Sequence, residues 1–62
     1  MQAAEVSNLY GLSLYHAEAY ALGYNAREFS NPYHQDDSPR YYLYWGGWND
    51  AKTIAKRNKE NK

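Results

Sequence analysis

The stretch Tyr41-Tyr42-Leu43-Tyr44-Trp45-Gly46-Gly47-Trp48-Asn49-Asp50-Ala51 decides the fold of this chain. It holds both tryptophans, three of the eight tyrosines and the only paired glycines. One fully buried Trp removes up to about 250 Å² from water, which contributes roughly 4–6 kcal/mol at about 25 cal/mol per Å². A domain of this size is expected to have a net stability of only about 3–5 kcal/mol. Most of the core must therefore come from this stretch.

Size and composition describe one small domain. A chain of 62 residues is too short to enclose a substrate cleft on all sides. It has no cysteine, which excludes disulfides and favours a reducing cytoplasm. It also lacks an apolar run of about 18 residues and a basic-then-apolar leader, so we expect no membrane span and no signal peptide. These features predict a cytoplasmic, non-enzymatic protein without cofactor, metal or small-molecule substrate.

The net charge is zero, but the two halves of the chain have opposite signs. Residues 1–39 contain five acids and one base, a net charge of −4, and residues 40–62 contain six bases and two acids, a net charge of +4. Such a chain can pair its halves, self-associate, or offer one basic end to a phosphate backbone. The simpler interpretation is a solvated helix end whose lysines complement the macrodipole.

A first helix is predicted from about Ser7, a plausible N-cap, to about Phe29. Asn31-Pro32 ends it, because the residue before a proline is disfavoured in the α region. Residues 1–6 are expected to be flexible. The predicted buried face follows alternating steps of three and four, which is the spacing of one helix face. Its members are Leu12, Tyr15, Ala19, Leu22, Ala26 and Phe29.

A second helix is predicted from about Pro39 to Asn58, with Ser38 as its cap. Its apolar positions recur in steps of three and four at Tyr41, Tyr44, Trp48, Ala51 and Ala55. Gly46 and Gly47 together cost this helix about 2 kcal/mol. Close contact with the first helix near Gly23, or with a partner, would compensate that cost.

The predicted architecture is therefore all-α, with two helices folded as a hairpin or open V across residues 7–58 and a basic tail at 59–62. Two helices rarely bury enough surface alone, so we expect either a homodimer or a firm partner. The expected structural core consists of Tyr24, Tyr44, Gly23, Gly46, Gly47, Trp48 and Ala51.

Three elements of the chain resemble one family of small proteins. They are Gly23-Tyr24-Asn25-Ala26, Asn31-Pro32-Tyr33, and Trp45-Gly46-Gly47-Trp48 followed by Ala51. This order is similar to that of the ribosome modulation factor family and its CrpP-like relatives, short proteins of bacteria and their phages. The resemblance covers about residues 20–51 and implies two helices joined by an ordered linker.

The resemblance also implies a role on the ribosome, because the ribosome modulation factor binds the small subunit and promotes inactive ribosome dimers. This chain departs from that pattern in being neutral with an acidic first half, whereas the factor is strongly basic. Some CrpP-like relatives have been linked to antibiotic modification. The present chain lacks a Gly-x-x-x-x-Gly-Lys phosphate loop, so we expect no such activity.

The linker contains the chain's main cluster of potential metal ligands, His34, Asp36 and Asp37, to which His16 could add a second imidazole. A metal site needs three or four convergent ligands with supporting hydrogen bonds. We expect instead a solvated acidic turn that caps the second helix.

Two sets of residues are candidates for contact with RNA or a protein partner. Tyrosines away from the predicted apolar faces provide rigid contact area, and the lysines and arginine of the basic end can meet phosphates. The candidates are Lys52, Lys56, Arg57, Lys59, Tyr10, Tyr20 and Tyr42. The leading hypothesis is a ribosome-associated factor that binds rRNA or ribosomal protein. The alternative is a phage- or plasmid-type protein that inhibits a host protein through a tyrosine-rich face.

Overall fold

The computed structural model describes residues 1–60, with side chains described through residue 57. It contains the helices α1 (Ala3–Tyr10), α2 (Leu14–Asn25) and α3 (Arg40–Glu60), and residues 1–60 form no strand. The predicted all-α class is confirmed, but the described chain has three helices instead of two. Among the described residues, no helix combines the length and the apolar character needed to cross a membrane.

The predicted first helix is divided at Gly11. This glycine has φ +67°, a left-handed conformation that glycine adopts without steric cost, and its N–H donates to the Ser7 carbonyl at 2.9 Å. Ser13 then caps α2 by accepting from the His16 N–H at 3.3 Å. Ser7 is therefore not an N-cap. Its hydroxyl donates to the Leu12 carbonyl at 2.6 Å and closes the turn between the two helices.

The N-terminal residues expected to be flexible belong to α1 from Ala3 onward. The Gln2 N–H donates to the Glu5 carboxylate at 3.2 Å, which satisfies a donor at the helix start. Val6 is fully buried on this helix and packs with Ala17, Tyr20 and Ala21 in the main apolar cluster. A third helix thus supplies part of the burial that two helices would lack.

The central helix is α2, which contacts both α1 and α3. Its buried residues are Ala17, Ala19, Tyr20, Ala21 and Gly23, most of them small. The predicted buried face was wrong at Tyr15, Leu22 and Phe29, which are exposed. Phe29 also lies outside α2, because this helix ends at Asn25 and not near Phe29 as predicted. Because two helices cover α2, small residues occupy most of its covered positions and several larger side chains lie outside.

Two glycines lie where α2 and α3 cross. A Cβ on Gly23 would stand 2.7 Å from the carbonyl carbon of Tyr44, and a Cβ on Gly47 would stand 3.0 Å from the backbone nitrogen of Tyr24. Real Cβ atoms need more room than this, so both positions require glycine for this approach. Gly46 faces open space, and the expectation of a core role was wrong for it.

The linker between α2 and α3 is ordered by hydrogen bonds to the start of α3. The Asn31 side-chain amide donates to the Tyr41 carbonyl at 2.9 Å, and its oxygen accepts from the Tyr33 N–H at 3.0 Å. Arg40, the first residue of α3, forms an ion pair with Asp37 and lies 4.8 Å from the centre of the Tyr33 ring. These contacts fix the end of the linker next to the N-terminal turn of α3.

Candidate nucleic-acid interface on α3

One side of α3 points away from α2 and carries a distinct set of side chains. A helix turns by about 100° per residue, so positions spaced by three, seven, ten, eleven and fourteen share one face. Tyr44 and Gly47 lie on the opposite side, against α2. We define the outer face of α3 as Tyr42, Trp45, Asn49, Lys52, Thr53 and Lys56.

The N-terminal half of the outer face is aromatic and open to solvent. Tyr42 is 61% exposed and Trp45 is 53% exposed. Together with Gln35 and Tyr41 they line a cavity of about 280 Å³, which we call the aromatic cavity. The rings of Tyr41 and Tyr42 meet edge to face, with centroids 5.2 Å apart. The Asn49 side-chain amide donates to the Trp45 carbonyl at 2.9 Å, just beyond the aromatic residues.

The C-terminal half of the outer face is basic. Lys52 and Lys56 are exposed, and Arg57 is exposed beside them. The Lys52 ammonium lies 4.3 Å from the centre of the Trp48 ring, which holds that charge close to the helix. At about 1.5 Å per residue, the outer face extends roughly 21 Å from Tyr42 to Lys56. Lys59, also predicted as a contact, lies outside the residues whose side chains are described.

Tyr20 is not a contact residue, which corrects the prediction made for it. It is only 6% exposed, and its hydroxyl donates to the Asp50 carboxylate at 2.6 Å. Burial, together with the hydrogen bond to Asp50, raises the pKa of Tyr20 above its usual value. The exposed Tyr10 lies against it, with their rings 5.3 Å apart, whereas Tyr42 stands on the outer face of α3. The three predicted tyrosines therefore do not form one exposed face.

The expected core residues differ in how deeply they are buried. Tyr44 is 4% exposed, while Tyr24, Trp48 and Ala51 are half-buried. Phe29, in the linker, covers the Trp48 ring edge to face at 5.3 Å. The indole N–H of Trp48 is buried and finds no acceptor among the described residues. Trp48 thus lies at the periphery of the core.

The acidic turn of the linker does not gather its side chains into a metal site. His34 Nδ1 accepts from the Asp36 N–H at 3.1 Å, and both side chains are largely exposed. Asp37 is occupied by its ion pair with Arg40. Among the side chains of residues 1–57, no three from His, Asp or Glu lie close enough together to hold a metal ion.

Gln35, Tyr41 and Trp45 were not predicted as contact residues. Trp45 was assigned only to the stretch that supplies the core, because tryptophan is usually buried. A signal for its exposure was nevertheless present. Trp45 and Tyr42 share a helix face with Lys52 and Lys56, and Tyr44 lies on the opposite face. A helix face that carries lysines is seldom buried, so this spacing indicates that Trp45 is exposed.

Comparison with protein-family models, with curated proteins and with solved structures finds no match to this chain. The molecule belongs, on its structure, to the class of small all-α proteins.

Proposed function

We propose that this chain is a non-enzymatic, cytoplasmic, ribosome-associated factor that binds rRNA or ribosomal protein and modulates translation or ribosome hibernation. The observation that carries the proposal is the outer face of α3, where exposed aromatic rings and exposed cations follow one another along a single helix side. Aromatic rings stack on unpaired bases, and Lys and Arg neutralise phosphates, so this combination is typical of single-strand nucleic-acid binding.

The zero net charge of the chain does not exclude this surface, because five of the seven acids lie outside α3. The other two, Asp50 and Glu60, are on α3, and Asp50 accepts a hydrogen bond from Tyr20 of α2. Glu5 and Glu18 are on α1 and α2, and Glu28, Asp36 and Asp37 are in the linker. Phosphate binding depends on the local field, which falls off over a Debye length of about 8 Å at physiological salt. The cations near the C-terminal end of α3 therefore meet a phosphate with little opposition from the acidic half.

The ribosome as the specific target rests on the resemblance to the ribosome modulation factor family. The resembling residues include Gly23 and Gly47, which in this structure allow α2 and α3 to pack closely. They support a shared helical packing, while the chemistry of RNA binding rests on the outer face of α3. Fold and function are separate claims here, and each needs its own test.

Cosedimentation with ribosomes tests the proposed function. Tagged protein added to a bacterial lysate should migrate with the small subunit or with ribosome dimers at low salt, and this should be lost at moderate salt. A Lys52→Glu, Lys56→Glu, Arg57→Glu variant should remain at the top of the gradient. Arg27→Glu, which changes an exposed cation outside α3, is the control and should migrate like the wild type. Wild-type protein that stays at the top of the gradient at both salt concentrations would contradict the proposal.

A second candidate function is a phage- or plasmid-type protein that binds and inhibits a host protein. The observation that favours it is the set of large exposed apolar side chains around the turn between α1 and α2, namely Leu9, Tyr10 and Leu14. Binding through these residues should resist salt, and Leu9→Ser with Leu14→Ser should abolish it. A homodimer through the same residues is a related proposal, and light scattering of the wild type and this double variant tests it.

A further inference from the structure

We propose that the aromatic cavity holds one unpaired nucleobase of a single-stranded RNA whose backbone continues along the outer face of α3. This inference rests on the proposed function and names the ligand class that the surface takes. The ligand is a base that is not in a duplex, because a paired base has no face free for stacking.

The shape and lining of the aromatic cavity suit a flat, neutral group. Its volume of about 280 Å³ lies just below the range of roughly 300–1,000 Å³ typical of pockets for whole small molecules. Three of its four lining residues are aromatic, and two of them, Tyr42 and Trp45, remain largely exposed. An open cavity of this size accepts a single ring system better than a complete cofactor.

The polar group of the cavity matches the edge of a base. Gln35 lines the cavity, and its side-chain amide offers both a hydrogen-bond donor and an acceptor. Nucleobase edges present donors and acceptors side by side, so an amide can pair with them. None of the four lining residues carries a charge, which favours a base over a phosphate at this position.

The charges around the cavity set the direction in which the RNA backbone runs. Asp36 is exposed next to Gln35 and disfavours phosphate on the linker side. Asp37 is neutralised by its ion pair with Arg40. Lys52 lies seven residues beyond Trp45 on the same face, about 10 Å along the helix. At about 3.4 Å per stacked nucleotide, a strand leaving the cavity reaches Lys52 after about three nucleotides.

The test measures the affinity of the full chain for short labelled oligoribonucleotides by fluorescence anisotropy at several salt concentrations. Trp45→Ala should weaken binding about tenfold, within the range for loss of one stacked base, and leave the salt slope unchanged. Trp45→Phe should retain most of the affinity, because a phenyl ring still stacks. Leu22→Ala removes an exposed apolar side chain from α2 and should have no effect. Circular dichroism should show the same helical content in all three variants.

An oligomer with the same phosphates but without bases separates this inference from the proposed function. The wild type should bind it about tenfold more weakly than the base-containing oligomer, and Trp45→Ala should bind both alike. Gln35→Ala should reduce the difference in affinity among oligo(A), oligo(C) and oligo(U). Equal affinity of the wild type for both oligomers, with no effect of Trp45→Ala, would overturn the base cavity and leave RNA binding through the lysines intact. Absence of any RNA binding by the wild type would overturn both the base cavity and RNA binding through the lysines.

Discussion

The two adjacent glycines of α3 differ in their surroundings, and this makes them a matched pair for testing the helix packing. In Gly47→Ala, the new Cβ would meet the backbone of α2, 3.0 Å from the Tyr24 nitrogen and 3.1 Å from the Tyr20 carbonyl carbon. In Gly46→Ala, the new Cβ would meet nothing within 4 Å. Both changes give the same gain in helix propensity, so their difference isolates the contact between α2 and α3.

The expected magnitudes follow from propensity and overpacking. Replacing a helical glycine by alanine stabilises the helix by about 1 kcal/mol. Overpacking a core position costs about 1–3 kcal/mol. The cost at Gly47 should be at the upper end of this range, because the new Cβ would meet backbone atoms of α2, which cannot rotate away as the end of a side chain can. Gly47→Ala should therefore lower the free energy of unfolding by about 2 kcal/mol, while Gly46→Ala should raise it by about 1 kcal/mol.

Thermal unfolding followed by circular dichroism at the helical band measures this difference. For a domain of this size, 1 kcal/mol corresponds to about 4–8 °C in Tm. We expect Gly46→Ala to melt about 4–8 °C above the wild type and Gly47→Ala about 8–16 °C below it. Gly23→Ala should behave like Gly47→Ala, because its Cβ would meet the Tyr44 backbone. If Gly47→Ala melted at or above the temperature of the wild type, the close crossing of α2 and α3 would be refuted.

Substitutions at four residues test the remaining contacts of the fold. Tyr20→Phe removes the hydrogen bond to Asp50 and should lower the free energy of unfolding, measured by urea titration, by about 1–2 kcal/mol. The Tyr10 hydroxyl lies 3.5 Å from that of Tyr20, a weak contact, so Tyr10→Phe should change the free energy of unfolding by less than about 0.5 kcal/mol. Equal effects of the two substitutions would contradict the assigned bonds. Ser13→Ala removes the N-cap of α2 and should cost about 1 kcal/mol, and an unchanged urea midpoint would rule out the cap. Trp48→Ala should cost about 3 kcal/mol, which is comparable to the net stability of a domain this small, so this variant should be largely unfolded at room temperature. Trp48→Phe should fold normally, because it keeps an aromatic ring and removes an indole N–H that lacks an acceptor.

Helical class and the crossing glycines were accessible from the sequence because they depend on local spacing. The steps of three and four in residues 40–55 predict a helix, and adjacent glycines in such a helix indicate close packing. The sequence did not distinguish Gly46 from Gly47. That distinction depends on the rotation of α3 about its axis, which only the crossing with α2 fixes.

The division of the first helix was not predicted, although its signals were present. Gly11 and Ser13 are a C-cap glycine and an N-cap serine separated by one residue, but the choice of Ser7 as the N-cap placed both inside a single predicted helix. The spacing was misleading because α2 contacts both α1 and α3. Steps of three and four select one narrow face and do not describe a helix that packs against two neighbours.

Part of the candidate site was predicted and part required the structure. The exposed cations Lys52, Lys56 and Arg57 were identified from charge alone, since charged residues are rarely buried. The aromatic cavity was not, because Gln35 comes from the linker and Trp45 from α3, and their proximity depends on how the linker folds against the helix. Tyr20 was misassigned because its partner Asp50 is thirty residues away along the chain.

The salt dependence of RNA binding tests most directly whether the outer face of α3 is a nucleic-acid surface. For single strands, the slope of log affinity against log salt is about −0.7 for each phosphate neutralised, so contacts by Lys52, Lys56 and Arg57 predict a slope of about −2. The affinity of the wild type for a short oligoribonucleotide should then fall about 16-fold between 50 and 200 mM salt. A variant with Gln at all three positions should show a slope close to zero. A wild-type slope near zero, or an unchanged slope in the variant, would contradict the assignment of this face to RNA.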